Sequence, residues 1–526
     1  MPDKGWHIGM FFLLIVRSDM KASRNLMLSS VLSLAAAPVF SDGTWQNPGL
    51  APNNRSNMHN DSYQSDNYTV PGPNAAVGAD VKLVTNGVSV NPVTHSKKIV
   101  PFGECLTHTF DAAGNLYSVC YGYPVPGQQG KKQLLAFDPE MHLLATKELP
   151  SASTSLTNAG GGGYFYLDDL DRPVVVQGDG HLVVYQPLLG SPSGTGTFVA
   201  ARDVNLNRFL PKGDELYSAM PDKSGNIWWV SSQGIVGYID PDDSVQVFDL
   251  NDPEGDGVRV ASDAWNYQEI ANSIAVDEGD GAHEGSGVYV VSTHKLYRFG
   301  RRAGSIVIDW SERYDRGKEQ KPGQISQGSG TTPTVFTLGD RRYVTIADNA
   351  TPMNVNIYRA ETDVGQEPRL FSQVQPFATN KSADENSIIA YPTQSGVALF
   401  VENNWGYTGP KSVTGRKITA PGFARIDVTP AGAVLGDVNK KISVPSVVSK
   451  GNSHSGVVYV YEKRIDGYWY LTGLAPDDLN KSLFSVQIGG ASDNFLYNNH
   501  YAPLSLAPDG TLYTGSLFGI IQMRLY

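Results

Sequence analysis

Residues 101–139 read PFGECLTHTFDAAGNLYSVCYGYPVPGQQGKKQLLAFDP, and the fold is decided there. Two short runs, 106–111 and 116–121, are rich in Leu, Phe, Tyr, Val and Thr and flank Ala112-Ala113-Gly114-Asn115. Gly and Asn supply the backbone angles of a tight turn, and the flanking residues suit pleated, half-buried strands. A third run, 133–137, ends in the Asp138-Pro139 turn. The stretch predicts three antiparallel strands of one small sheet. Cys105 and Cys120 are the only 2 cysteines of the chain, and their positions are symmetric about Ala112-Ala113. Such positions face each other across an antiparallel hairpin, so the spacing predicts a Cys105–Cys120 disulfide, against two buried free thiols.

Working outward, the same unit recurs. First strands begin near His108, Phe165, Ser218, Ser273, Pro333, Ile388, Pro445 and Pro503, each followed by a partner such as NIWWVSS or GVALFVENN. Turn signals such as Asp222-Lys223-Ser224-Gly225 and Pro508-Asp509-Gly510 lie between them. Repeats of this length suit four-stranded blades with long loops. The reading is all-β: a single β-propeller of eight blades, with seven blades or a pair of stacked β-sandwiches as alternatives. The last unit stops at Tyr526 after about three strands. A strand within 80–90, DVKLVTNGVSV, is expected to supply the fourth and close the ring, leaving no open edge.

The chain of 526 residues carries a formal charge of -11 and no block of Lys or Arg, which argues against nucleic acid and anionic membranes as partners. Residues 1–41 read as a signal-peptide region. Lys21 and Arg24 form a basic start, 26–34 is mostly apolar, and Ala35-Ala36-Ala37 fits a cleavage site, with Met20 as the expected true start. Arg17, Asp19, Lys21 and Arg24 break the apolar run before it reaches spanning length. A periplasmic or secreted location follows. Residues 42–79 are expected to form an irregular arm and 80–526 the propeller. Within the arm, His59-Asn60-Asp61 is a polar cluster suited to a site or to local turn bonds. The acidic, glycine-rich stretches 251–257 and 277–287 lack EF-hand spacing.

Propeller geometry sorts the candidate functional residues. The start of strand one and the end of strand two in a blade lie at one face. Glu104, Glu269, Asn272, Glu385, Asn386 and His500 stand at strand-one starts; His294, Asp348, Asn349 and Glu402 stand at strand-two ends. Acids and amides thus converge on one mouth, an oxygen-rich setting that suits a hard cation such as Ca2+. Such an ion could polarise a carbonyl or activate water, with Glu385 or Glu269 as general base and His294 and His500 as alternative bases.

Gly103-Glu104-Cys105, followed by a strand, a turn and a Leu-Tyr-rich strand, resembles the opening of gluconolactonase/regucalcin-like propellers. Asn272-Ser273-Ile274-Ala275-Val276-Asp277 before Val288-Tyr289-Val290 resembles their Asn-Gly-Leu-Ala strand. The resemblance implies a divalent-metal site with Glu104 and Asn272 as ligands. Asp348, Asn349 and Glu402 are candidates on geometry alone. Those proteins have six blades and this chain counts eight. The count also resembles quinone-dependent dehydrogenases, although their repeated tryptophan-docking motif and vicinal cysteines are not apparent. No G-x-S-x-G, H-E-x-x-H or Walker pattern occurs. The expected function is an exported propeller that binds a small organic ligand in a polar central pocket, as a metal-assisted hydrolase or lyase. A non-catalytic sugar- or protein-binding propeller and a quinone-dependent oxidoreductase are the alternatives.

Overall fold

The computed structural model describes residues 44–52, 54–90, 95, 97–122, 131–150, 160–191, 194–282, 284–490 and 495–526. The expected signal segment, Met20 and Ala35-Ala36-Ala37 lie outside them. The strands form eight radial sheets, so the structure is an eight-bladed β-propeller. Blades 1 to 7 span 104–149, 166–205, 216–249, 275–313, 334–374, 389–439 and 450–489; each pairs its four strands in chain order. Blade 8 takes Leu504–Leu506, Leu512–Ser516 and Gly519–Leu525 from the C-terminus and Ala79–Val84 from the other end. Ala79–Val84 runs antiparallel to Gly519–Leu525, from Ala79 opposite Leu525 to Val84 opposite Ile520. The ring is thereby closed through backbone hydrogen bonds, and no blade is left with three strands. The rest of the 80–90 stretch does not join it: Val88–Val90 forms a separate hairpin with Lys97–Ile99.

Burial explains which strand faces where. In blade 1 every residue of Glu104–Phe110 and Leu116–Tyr121 is buried, whereas the outermost strand of blade 2, Thr197–Asn205, is mostly exposed. Continuous burial marks a strand covered on both faces by neighbouring blades. Apolar side chains between adjacent blades form the core; Trp228 and Trp229 between blades 2 and 4 are 0% exposed. Among the described residues no helix is long and apolar enough to cross a membrane.

Aspartates build the hairpin turns. Asp111 Oδ1 accepts from the amides of Ala113 and Asn115, both at 2.9 Å, and Gly114 turns the chain at φ +84°. Asp222 repeats this for Ser224 and Asn226 and also accepts from Trp228 Nε1 at 3.1 Å. Side chains that bond their own backbone two and four residues on fix the turn, and with it the strand register. In blade 1 that register places Cys105 opposite Cys120, and the two form the expected disulfide. A bulge follows between Cys105 and His108, so the first strand begins at Glu104, earlier than the expected 106. Gly103 precedes it at φ +98°; a Cβ there would lie 1.9 Å from Tyr121 O.

The arm is irregular but deeply buried. Apart from Asn67–Tyr68, which adds in parallel to Lys450–Asn452 inside blade 7, residues 54–70 form no strand. Residues 56–68 are nevertheless all buried. Their carbonyls at Ser56, Tyr63, Ser65 and Asp66 accept from Leu167, Val335, Ala390 and Gly451 in four blades, at 2.8 to 2.9 Å. Ser62 O takes Val276 at 2.7 Å, Arg55 O takes Thr109 Oγ1, Asn47 Nδ2 reaches Pro221 O, and Tyr68 Oη accepts from Leu506. The arm therefore touches all eight blades along the propeller axis. Asn60, Gln64 and Asp66 adopt left-handed backbone angles to wind this tightly (φ 79°, 58° and 52°). Such strain persists where surrounding bonds over-determine it.

Candidate functional site

The arm floors an axial chamber at the face where the inner strands begin. Met58 and His59 lie on its floor. Glu104, Asn272, Glu385 and His500 stand on the walls, brought there from blades 1, 4, 6 and 8. The connection between blades 4 and 5 crosses above, contributing Ile325 and Ser329; Tyr501 Oη holds it through Gly323 O at 2.7 Å. The chamber volume is about 40 Å³.

His59 is set in a buried charge network. Its Nδ1 lies 3.1 Å from Asp66 Oδ2 and 2.7 Å from Ser387 Oγ. The Ser387 hydroxyl also donates to Asp66. Lys450 Nζ donates to Met58 O at 2.6 Å, to Asn60 Oδ1 at 2.9 Å and to Asp66 Oδ1. Burial alone would raise the Asp66 carboxyl, but the Lys450 and His59 contacts outweigh it and hold it below its usual range. In the neutral ring an ionised Asp66 facing Nδ1 favours the tautomer with its proton there. Nε2 is buried without a hydrogen-bond partner among the described residues.

The carboxyl groups of the wall behave differently. Glu385 is pushed up to about 8, chiefly by burial; the Gln324 side chain, the Ile325 amide and the Lys321 charge oppose this in part. At neutral pH it carries a proton. Gly330 packs against it so closely that a Cβ would lie 2.4 Å from Glu385 Oε1. Burial likewise raises Glu104 well above the carboxylate range, and neither of its oxygens has a hydrogen-bond partner among the described residues. Behind the wall, Glu402 Oε2 accepts from Asn386 Nδ2 at 2.7 Å and Oε1 from the Ser449 amide at 2.8 Å. Asn386 Nδ2 also reaches Val447 O at 3.0 Å, which fixes the amide and leaves Oδ1 without a partner among the described residues.

The expected site residues therefore separate. Glu104, Asn272, Glu385 and His500 share the chamber, and Glu402 supports it from one layer behind. Asp348 does not join them: its Oδ1 caps the turn through the Ala350 and Asn354 amides at 3.1 and 2.7 Å. Asn349 uses its amide on Arg316 O and Glu319 O. Glu269 is exposed, with its backbone tied to Thr293. His294 is engaged at both nitrogens, by Trp265 O at 2.7 Å and Thr293 Oγ1 at 3.1 Å, and burial lowers its pKa. The physical reason is common to the four: strand-end position sets the face of the propeller but not the direction of the side chain. Among the described residues no three His, Cys, Asp or Glu side chains group to hold a metal ion. Asp66, Ser387 and Lys450 were not legible as site residues. His59 was visible only as part of a polar cluster.

No family model matches the chain. An uncharacterized protein of Archaeoglobus fulgidus is 23% identical over 337 residues, which cover 59% of this chain and 61% of the relative. The match thus spans less than two thirds of that relative's length. Among solved structures, a europium-containing methanol dehydrogenase aligns with 88% of this chain and 90% of its own, at 10% identity and a TM-score of 0.49. A streptogramin B lyase aligns with 86% and 99%, at 10% identity and a TM-score of 0.37.

Proposed function

We propose that the axial chamber binds a small organic molecule and carries out acid–base chemistry on it, as a hydrolase or lyase. His59 Nε2 acts as the general base and Glu385 as the proton donor. One observation carries this reading: His59 has its Nδ1 fixed by Asp66 and Ser387, while its buried Nε2 stays uncommitted on the chamber floor. A histidine oriented through one nitrogen by a carboxylate is in the state that a general base needs. Glu385 supports the assignment from the opposite direction, since a carboxyl that keeps its proton at neutral pH can give it to a leaving group. An imidazole and a protonated carboxyl at one cavity suit removal of a proton and protonation of a departing atom, or activation of water against an ester or lactone. The Cys105–Cys120 disulfide supports the expected export to an oxidising compartment.

The test is a turnover screen of the purified chain against panels of lactones, esters and β-substituted acids, run beside His59→Gln and Glu385→Gln. The expected result is turnover with one panel and a loss of about 100-fold to 10,000-fold in each variant. Turnover unchanged in both variants, or none with any panel, contradicts the reading.

A further inference from the structure

We propose that Glu104 anchors a positively charged amine of the chamber's ligand, which makes the substrate class a small amino compound. The inference rests on the chamber being a ligand site, but it uses a residue to which the acid–base reading gives no role.

Glu104 is 1% exposed and lines the chamber, yet both carboxyl oxygens lack a hydrogen-bond partner among the described residues. A buried carboxyl in that state is costly, and native structures seldom retain one without a use for it. The buried cations of the surroundings are committed elsewhere. Lys450 holds Asp66, Lys321 donates to the carbonyls of Ala350 and Ser382, and Lys132 donates to Gly160 O. No ion pair reaches Glu104 among the described residues.

The remaining free atoms of the wall match this. Asn386 Oδ1 is an acceptor, because Nδ2 is tied to Glu402 and Val447 O. Asn272 has its donor on Ser329 O at 3.2 Å. A ligand for such a wall must bring donors and positive charge. An ammonium group brings three donors on one charge. A hard divalent ion instead asks for six to eight oxygens, whereas no three His, Cys, Asp or Glu groups assemble among the described residues. Tyr164 and Tyr501 on the same wall offer ring surface of the kind that favours organic cations, and Leu106 and Met58 accept a short carbon chain.

The experiment titrates the full chain with 13C-labelled methylammonium, methanol and acetate, read by NMR, with Ca2+ as a competitor. The expected result is saturable binding of methylammonium alone, weakened tenfold or more by Glu104→Gln and not displaced by Ca2+. Glu104→Gln is also expected to melt no lower than the parent, because it removes an uncompensated carboxyl; Glu104→Met is the second variant should Gln fail to fold. His59→Gln is expected to keep methylammonium binding, so loss of the acid–base reading and loss of this one register separately. Absence of methylammonium binding, equal binding in the Glu104 variants, or displacement by Ca2+ overturns the proposal.

Discussion

Lys450 and Asp66 are both fully buried, and each satisfies the other. Removing one partner of such a pair leaves a bare charge in the interior, at about 3–5 kcal/mol. Lys450→Met is therefore expected to lower stability by about that amount in urea unfolding, and adding Asp66→Asn to return part of it. Glu385 sets a pH dependence. Its carboxyl holds a proton up to about 8 in the folded chain, against an ordinary value of 4.5. Between those values the folded state binds the proton and the unfolded chain does not. The stabilisation is complete below 4.5 and is lost as pH rises to about 8. The melting temperature should therefore fall from pH 5 to pH 8, less steeply in Glu385→Gln. At this scale the sequence was least informative. His59 was visible only within a polar cluster, and Lys450 lies 384 positions from Asp66, so nothing local to either residue signals the pair. Asp348 and Glu104 look alike as acids at strand ends, yet one caps a turn and the other lines a cavity.

The strands and turns were more legible because their causes are local. Alternating Leu, Tyr and Val around Gly and Asn fixed 116–121 as a strand, and the structure has it as Leu116–Tyr121. The bulge after Cys105 was not legible, since an inserted residue leaves no compositional mark. The disulfide closes a sequence separation of 15. Replacing both cysteines with Ala is expected to cost about 3 kcal/mol in chemical unfolding. The closing strand has a sharper test. Gly78 and Tyr526 exchange both backbone bonds, so the alternation along the ladder makes Lys82 and Gln522 a hydrogen-bonded pair, and Lys82→Pro removes a backbone donor and disrupts closure of the ring. Its expected signature is faster hydrogen exchange across Gly519–Leu525, with the strands of blade 4 unaffected.

The repeat count and ring closure were readable from the whole chain because eight similar units must bury each other's faces. The course of the arm was not readable. Its Asn, Ser and Asp residues imply a surface loop, but they occur where backbone bonds from eight blades need partners along the axis. The composition that suggests irregular chain is also the one that can satisfy buried polar groups. The arm thereby turns a channel into a chamber with a histidine on its floor.

The central claim is that this architecture holds His59 with a proton on Nδ1 and a free base at Nε2. Nitrogen-15 NMR of the chain labelled at histidine measures this directly. At pH 8 the account requires an Nδ1–H tautomer signal that disappears in His59→Gln and loses its fixed tautomer in Asp66→Asn. An Nε2–H signal for His59, or an averaged one unaffected by Asp66→Asn, would contradict it.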